Sequence, residues 1–270
     1  MSETEPVLWE LEDGVATMTL NRPEKLNALT PEMETRWTEL LEEAATNPEV
    51  RAVVVTGAGR GFCAGADMGF MDDLTSGKID PEARDGSPTF IGARPHVAAQ
   101  IPKPVIAAIN GPCAGLGLVH ALFCDVRFAA ADAKITTAFA RRGLIAEYGI
   151  AWILPRLAGL SNAIDLLASG RVILADEAHR LGLVNYVVPK EEVLDAALRY
   201  AHELAQYSAP RSIAIMKQQV YAGLNAELEP AVREAEELMK ESLVRPEFAE
   251  GVQSYLEDRP PRFPALTVEG

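Results

Sequence analysis

Twice within its first 130 residues the chain runs from a short, continuous apolar stretch into a glycine-bearing segment and then into a helical pattern. The first stretch, Ala52-Val53-Val54-Val55, leads to Gly57-Ala58-Gly59-Arg60-Gly61-Phe62-Cys63-Ala64-Gly65-Ala66-Asp67-Met68. The second, Pro104-Val105-Ile106-Ala107-Ala108-Ile109, leads to Asn110-Gly111-Pro112-Cys113-Ala114-Gly115-Leu116-Gly117. A strand with no polar alternation is apolar on both faces, as in a parallel sheet covered by helices. Ligands of such sheets collect at the carboxyl ends of the strands, where helix starts leave N–H groups unpaired. Two such starts side by side can aim two N–H groups at one oxygen, which makes an oxyanion hole. Neither segment has the Lys-Ser or Lys-Thr of a phosphate loop, and neither carries a well-placed G-x-G-x-x-G fingerprint.

The flanking sequence completes an α/β pattern. Val15 to Leu20 alternates at period two after a turn at Asp13-Gly14. Thr30-Pro31 reads as a helix start, with Thr as N-cap and Pro in the first turn. Met33, Trp37, Leu40, Leu41 and Ala44 then form one apolar face. Gly115 to Phe123 reads as a buried helix, and Asp125 to Ala129 as a return to strand. The polar stretch Thr75 to Pro88 reads as a surface loop. Beyond Pro189 only helices are expected, over Glu191 to Leu204 and along Leu228, Val232, Ala235, Met239 and Leu243. The expected organisation is therefore an α/β core over residues 1–189 and a helical region over 190–270.

Charge and cysteine usage narrow the function classes. With 25 Lys plus Arg against 39 Asp plus Glu the net charge is −14, which argues against nucleic acid or an anionic membrane as partner. Residues 190–258 hold 14 acidic and 7 basic side chains, half of that net charge. No run approaches the roughly 20 apolar residues of a membrane span. The start Met1-Ser2-Glu3-Thr4-Glu5 lacks the features of a secretory signal. Cys63, Cys113 and Cys124 are odd in number and form no C-x-x-C, so neither a disulfide framework nor a metal site is expected. Three buried thiols in a cytoplasmic protein are the expectation.

Several short motifs follow one another along the chain: Asn21-Arg22-Pro23-Glu24-Lys25-Leu26-Asn27-Ala28-Leu29, Phe62 to Asp67, Asn110-Gly111 with Gly115-Leu116-Gly117, and Cys124-Asp125. Leu154-Pro155-Arg156-Leu157-Ala158-Gly159, Ala175-Asp176-Glu177-Ala178 and Leu181-Gly182-Leu183-Val184 follow in order. Taken together, they resemble the crotonase (enoyl-CoA hydratase/isomerase) superfamily. The resemblance implies a spiral of ββα units with C-terminal helices that build a homotrimer or a dimer of trimers. It implies an acyl-CoA thioester as substrate, coenzyme A entering as part of that substrate, and no prosthetic group. By motif position the two carbonyl-polarising N–H groups are those of Ala66 and Leu116. Leu stands at the second position where many relatives have Gly; the backbone donor survives, but a tight turn there is put in question. The same motif positions imply contacts to the coenzyme from Arg22, Lys25, Asn27, Ala28, Ala64, Asp67 and Met68.

The chain departs from the hydratase pattern at its centre. The two glutamates that hold water in enoyl-CoA hydratases correspond by position to Val119 and Phe139, neither of which transfers protons. Glu147 lies eight residues beyond Phe139, ahead of a helix leading to Leu154-Pro155, where isomerases of the superfamily carry their acid. A double-bond shift needs one group that removes a proton and returns it two carbons away, so a single carboxylate suits isomerisation. Leu144, Ile145, Ile150 and Trp152 around it are expected to raise its pKa. Two other readings remain: hydration or C–C hydrolysis with Glu147 directing water, and a non-catalytic acyl-CoA-binding protein. The plain alternative for Glu147 itself is a solvated glutamate or an ion pair to Arg141 or Arg142. His120 is expected as a packed core or interface residue, Asp67 as a helix N-cap or loop organiser, and Asp125 as structural.

A polyanionic coenzyme on an acidic protein requires a local basic rim. Arg22, Lys25 and Arg60 beside the first two loops, with Arg262 near the C-terminus, are the candidates. The acyl pocket is expected to involve the stretch from Phe70 to Gln100.

Overall fold

Residues 5–80 and 90–267 are described by the computed structural model. The acidic start, Met1 to Thr4, and most of the polar stretch expected as a loop lie outside these residues.

The chain opens with a hairpin. Strands β1 (Val7–Glu12) and β2 (Val15–Leu20) pair antiparallel across Asp13-Gly14. Helix α1 (Pro31–Thr46) starts where expected: Thr30 accepts from the Met33 N–H at 3.4 Å, and Met33, Trp37, Leu40, Leu41 and Ala44 are all buried. Strand β3 (Ala52–Gly57) then runs parallel to β2 and is buried along its whole length. Helices α2 (Met68–Thr75) and α3 (Val97–Gln100) lie near the two ends of the stretch expected to form the acyl pocket.

The spiral follows. Strand β4 (Val105–Ile109) joins the first sheet, β5 (Cys113–Ala114) enters a second, and the wholly buried helix α4 (Leu116–Phe123) closes the turn. The next turn repeats this with β6 (Val126–Ala130), β7 (Lys134–Thr136) and α5 (Ile150–Ala158). Helix α6 (Leu160–Ser169), β8 (Ile173–Leu174), α7 (Ala175–Arg180) and β9 (Tyr186–Val188) complete it. The first sheet has the order β1-β2-β3-β4-β6-β9, parallel beyond the hairpin, and the second β5-β7-β8. The main core lies between the two sheets and the helices and includes Met18, Val53, Val55, Phe62, Ile109 and Leu122.

The far end is helical, as expected. Helix α8 (Val193–Tyr207) packs Ala196, Ala197, Ala201 and Ala205 against Val15, Val54, Ile106 and Phe128 on the back of the first sheet. The alanines let its backbone approach closely, so this helix covers the second face that apolar β3 and β4 require. Helices α9 (Pro210–Gly223), α10 (Leu228–Leu243) and α11 (Pro246–Leu256) continue outward. The apolar stripe of α10 is present but bare within one chain, with Leu228 74% and Met239 54% exposed. No helix among the described residues is long and apolar enough to cross a membrane.

Candidate active site

The two glycine-bearing segments meet edge to edge. Cys63 pairs with Cys113 in an isolated parallel bridge, the Ala114 N–H donates to Cys63 O at 2.9 Å, and Leu29 bridges Ala66. Gly117 allows this closeness: a Cβ there would lie 2.6 Å from Cys63 Sγ and from Cys63 O. Gly65 is equally constrained. Its φ is +96°, and a Cβ would meet Ala114 O at 3.0 Å and sit 3.6 Å from the Leu116 nitrogen. The turn before Ala66 therefore lies against the start of α4.

Both N–H groups of interest are left over by the local hydrogen bonding. At the Leu29–Ala66 bridge, Leu29 N–H donates to Gly65 O and Asp67 N–H to Leu29 O, each at 2.8 Å, so the Ala66 N–H is not used. Leu116 is the first residue of α4, where helix geometry provides no acceptor, and Gly115 O instead receives Leu118 and Val119. The question raised by Leu116 resolves simply: the positive φ falls on Gly115, at +50°, and Leu116 itself is helical.

These groups line a cavity of about 440 Å³, together with Lys25, Ala28, Ala64, Asp67 and Met68. Glu147, Tyr148, Thr137, Phe139, Arg142 and Leu144 line it as well, with Phe70, Phe90 and Ile91. Chain segments distant in sequence thus converge on one space. Burial pushes the Glu147 carboxyl above its ordinary range. Among the described residues no cation lies within ion-pair distance of it; Arg141 instead donates to Ser169 O at 2.7 Å. Tyr148 is pushed up to about 12, by burial first and then by the charges of Glu147 and Glu34. Phe139 lines the cavity, and Val119 is fully buried.

Two of the residues expected to contact the coenzyme make hydrogen bonds within the chain. Asn27 is fully buried, and its side chain is a scaffold: it accepts from Arg22 N–H and donates to Ala58 O and Gly61 O at 3.0 and 2.8 Å. The Arg22 guanidinium is occupied with Ala28 O and Asp67 Oδ2. Neither lines the cavity; of the expected basic rim, Lys25 does. Asp67 caps α2, accepting from Gly69 and Phe70 N–H. Burial works against its charge, but the Arg22 bond and the two N–H bonds outweigh this and hold its carboxyl below the usual range.

The remaining candidates are structural. His120 is buried and meets Glu34 Oε1 at 2.8 Å, with Trp37 edge-on at 4.3 Å between ring centroids. Glu34 was not singled out in the sequence, although it stands on the apolar stripe of α1, four residues after Thr30 and three before Trp37. Asp125 accepts from Val105 N–H at 2.8 Å and Lys217 Nζ at 2.7 Å, which ties α9 to the core. All three cysteines are buried, and burial pushes Cys63 and Cys124 up to about 12. Among the described residues no three His, Cys, Asp or Glu side chains gather as a metal requires. Two unpaired N–H groups and a carboxylate around an apolar space are the parts needed to polarise a carbonyl and move a proton beside it.

Known proteins share this arrangement of chain. Residues 10–265 match the family described as Enoyl-CoA hydratase/isomerase. The chain is 34% identical to the 1,2-epoxyphenylacetyl-CoA isomerase of Escherichia coli K12, over 95% of this chain and 97% of that one. It is 36% identical to the (E)-benzylidenesuccinyl-CoA hydratase of Thauera aromatica, over 96% and 98% respectively. The crystal structure of an enoyl-CoA hydratase from Polaromonas sp. JS666 superposes with a TM-score of 0.86 at 32% identity, covering 95% of this chain and 99% of that one. The chain belongs to the enoyl-CoA hydratase/isomerase family, within the crotonase superfamily.

Proposed function

We propose that the chain isomerises enoyl-CoA thioesters by moving a proton with Glu147 alone. The observation that carries this reading is one cavity lined by Glu147 and by Ala66 and Leu116, whose N–H groups have no acceptor among the described residues. By motif position Val119 and Phe139 stand where hydratases carry their glutamates. The thioester carbonyl accepts from both N–H groups. Ionised Glu147 takes a proton from the carbon beside the carbonyl, and the electron pair moves onto the thioester oxygen as an enolate. The two donors are fixed before the reaction and stabilise that oxyanion without reorganising. The protonated carboxyl then returns its proton two carbons away, and the double bond moves into conjugation. The raised pKa of Glu147 suits this work, since the group must both take and give the proton near neutral pH.

Lys25, which lines the cavity, supplies the positive charge that meets the coenzyme phosphates. The bare apolar stripe of α10 and exposed Phe248, Val252 and Leu256 on α11 support assembly as a trimer or a dimer of trimers. The likeness to a hydratase supports a second reading, in which Glu147 directs water. Turnover in oxygen-18 water separates the two: isomerisation leaves the product unlabelled, and water addition or hydrolysis labels it. Glu147→Gln should lower kcat/KM by about 10²–10⁴ with acyl-CoA affinity kept within a few fold. Unchanged turnover in that variant would remove Glu147 from the mechanism. Micromolar acyl-CoA binding by the wild type, with no turnover at any chain length, would leave a binding protein.

A further inference from the structure

Four charged side chains line the cavity that holds Glu147: Lys25, Asp67, Arg142 and Glu147 itself. Asp67 is already engaged by Arg22 and by two N–H groups of α2. Burial alone raises the Glu147 carboxyl, so no guanidinium is spent on it. Lys25 serves the coenzyme on the reading above, which leaves Arg142. This residue closes one turn of 3-10 helix, Ala140–Arg142, where its N–H donates to Phe139 O at 2.9 Å and left-handed Gly143 ends the turn at φ +71°. Successive residues of such a turn project about 120° apart. Arg141 accordingly leaves in another direction, where its Nε donates to Ser169 O at 2.7 Å and its Cγ would lie 3.1 Å from a Cβ at Gly170. Arg142 lines the cavity instead, and among the described residues its guanidinium has no hydrogen bond and no ion pair.

An unpaired guanidinium among Phe70, Phe139 and Leu144 constrains what can fill this space. Arg142 is exposed in the free protein, so water satisfies its N–H donors. An acyl group that fills the cavity displaces part of that water. An alkyl chain returns no acceptor and leaves the charge poorly solvated, whereas a carboxylate returns two oxygens in the planar geometry of the fork. We infer that Arg142 is a specificity-determining residue that pairs with a second carboxylate, carried on the acyl group of the thioester. The substrate class is thus the mono-CoA ester of a dicarboxylic acid. This rests on the acyl-CoA reading above. The acyl group is assigned, and not the coenzyme, because Arg142 shares its chain segment with Glu147, which acts on the acyl carbons. Lys25, with Ala28, Ala64 and Met68, comes from the segments assigned to the coenzyme.

The test measures Kd by titration calorimetry for saturated esters, which have no double bond to shift or hydrate. Glutaryl-, adipoyl- and suberoyl-CoA are compared with pentanoyl-, hexanoyl- and octanoyl-CoA, so that each pair differs in its terminal group alone. The wild type should bind the diacid ester about tenfold or more tightly at one or more of these lengths. Such a preference for the more negative ester opposes the net charge of −14, so the background field cannot produce it. Arg142→Gln should bring the matched esters within about twofold of each other while leaving the affinity for the monoacid ester unchanged. Arg142→Lys, which keeps the charge without the fork, should retain part of the preference. Matched esters that bind equally at every length overturn the inference, as does a preference that survives Arg142→Gln. If Arg142→Gln weakens both esters and free coenzyme A alike, the guanidinium holds a coenzyme phosphate; the acyl assignment is then overturned and the acyl-CoA reading stands. If no ester binds the wild type, the acyl-CoA reading itself fails and this inference falls with it.

Discussion

Arg22 and Asp67 form an ion pair at 3.0 Å that joins the loop after β2 to the cap of α2, one residue beyond Ala66. Both side chains are mostly covered, so the bond is shielded from solvent more than a surface pair is. Asp67 thereby fixes the segment that holds Ala66, which lines the cavity.

Removing that cap should loosen the site. Asp67→Ala should cost about 1 kcal/mol of stability, the usual worth of an N-cap, measured by denaturant unfolding. Because the folded state holds the Asp67 carboxyl below its ordinary range, its contribution is fully present above the unfolded pKa. It is lost as pH falls through the lower folded value. The stability gap between wild type and Asp67→Ala should accordingly close only in strong acid. A gap unchanged down to that range would assign the effect to packing rather than to the charge.

Glu147 should trade stability for activity. Its folded pKa is raised, so as pH rises the unfolded chain releases this proton first, and ionisation above the ordinary glutamate range weakens the fold. Glu147→Gln should therefore raise Tm at pH 8, and the two proteins should converge below about pH 4. In the wild type, kcat/KM should rise with pH along a limb displaced above that of an unburied glutamate. A limb at the ordinary position, with no Tm difference at pH 8, would show that Glu147 sits in water.

Lys25 should matter for affinity and for its salt dependence. Lys25→Glu should weaken acyl-CoA binding in titration calorimetry, and rising ionic strength should weaken the wild type more than the variant. The protein carries a net charge of −14, so this local cation works against a repulsive background. Affinity independent of salt would mean that the coenzyme is held without charge pairing.

Glu34 and His120 should govern stability rather than turnover of bound substrate. Among the described residues, Glu34 Oε2, Trp37 Nε1 and His120 Nδ1 are all buried without a hydrogen-bond partner, so the cluster tolerates little further loss. Glu34→Ala leaves His120 unpaired and should cost about 1–3 kcal/mol, whereas Glu34→Gln keeps one acceptor and should cost less. Equal losses in the two variants, read from chemical denaturation, would mean that the hydrogen bond contributes nothing.

The elements were legible to the extent that local pattern decides them. The Thr30 cap, the apolar face of α1, the buried β3 and β4 and the full extent of α10 follow from periodicity and capping chemistry. Asp67 as a cap and Asp125 as a structural group follow from the same reasoning. Burial of the Glu34–His120 pair was only half visible, because a wheel places Glu34 on the apolar stripe but cannot name what it touches.

Residue type and spacing by themselves determined the parts list. Gly65 and Gly117 at the strand ends leave room for two turns to touch, side chains that cannot move protons stand at positions 119 and 139, and one carboxylate remains at 147. Only the tertiary structure decided which of these parts face one another. It tied Arg22 and Asn27 into hydrogen bonds within the chain and kept Lys25 at the cavity. The physical reason is range. Periodicity and capping act across a few residues, whereas the approach of Ala66, Leu116 and Glu147 depends on how two sheets register and pack.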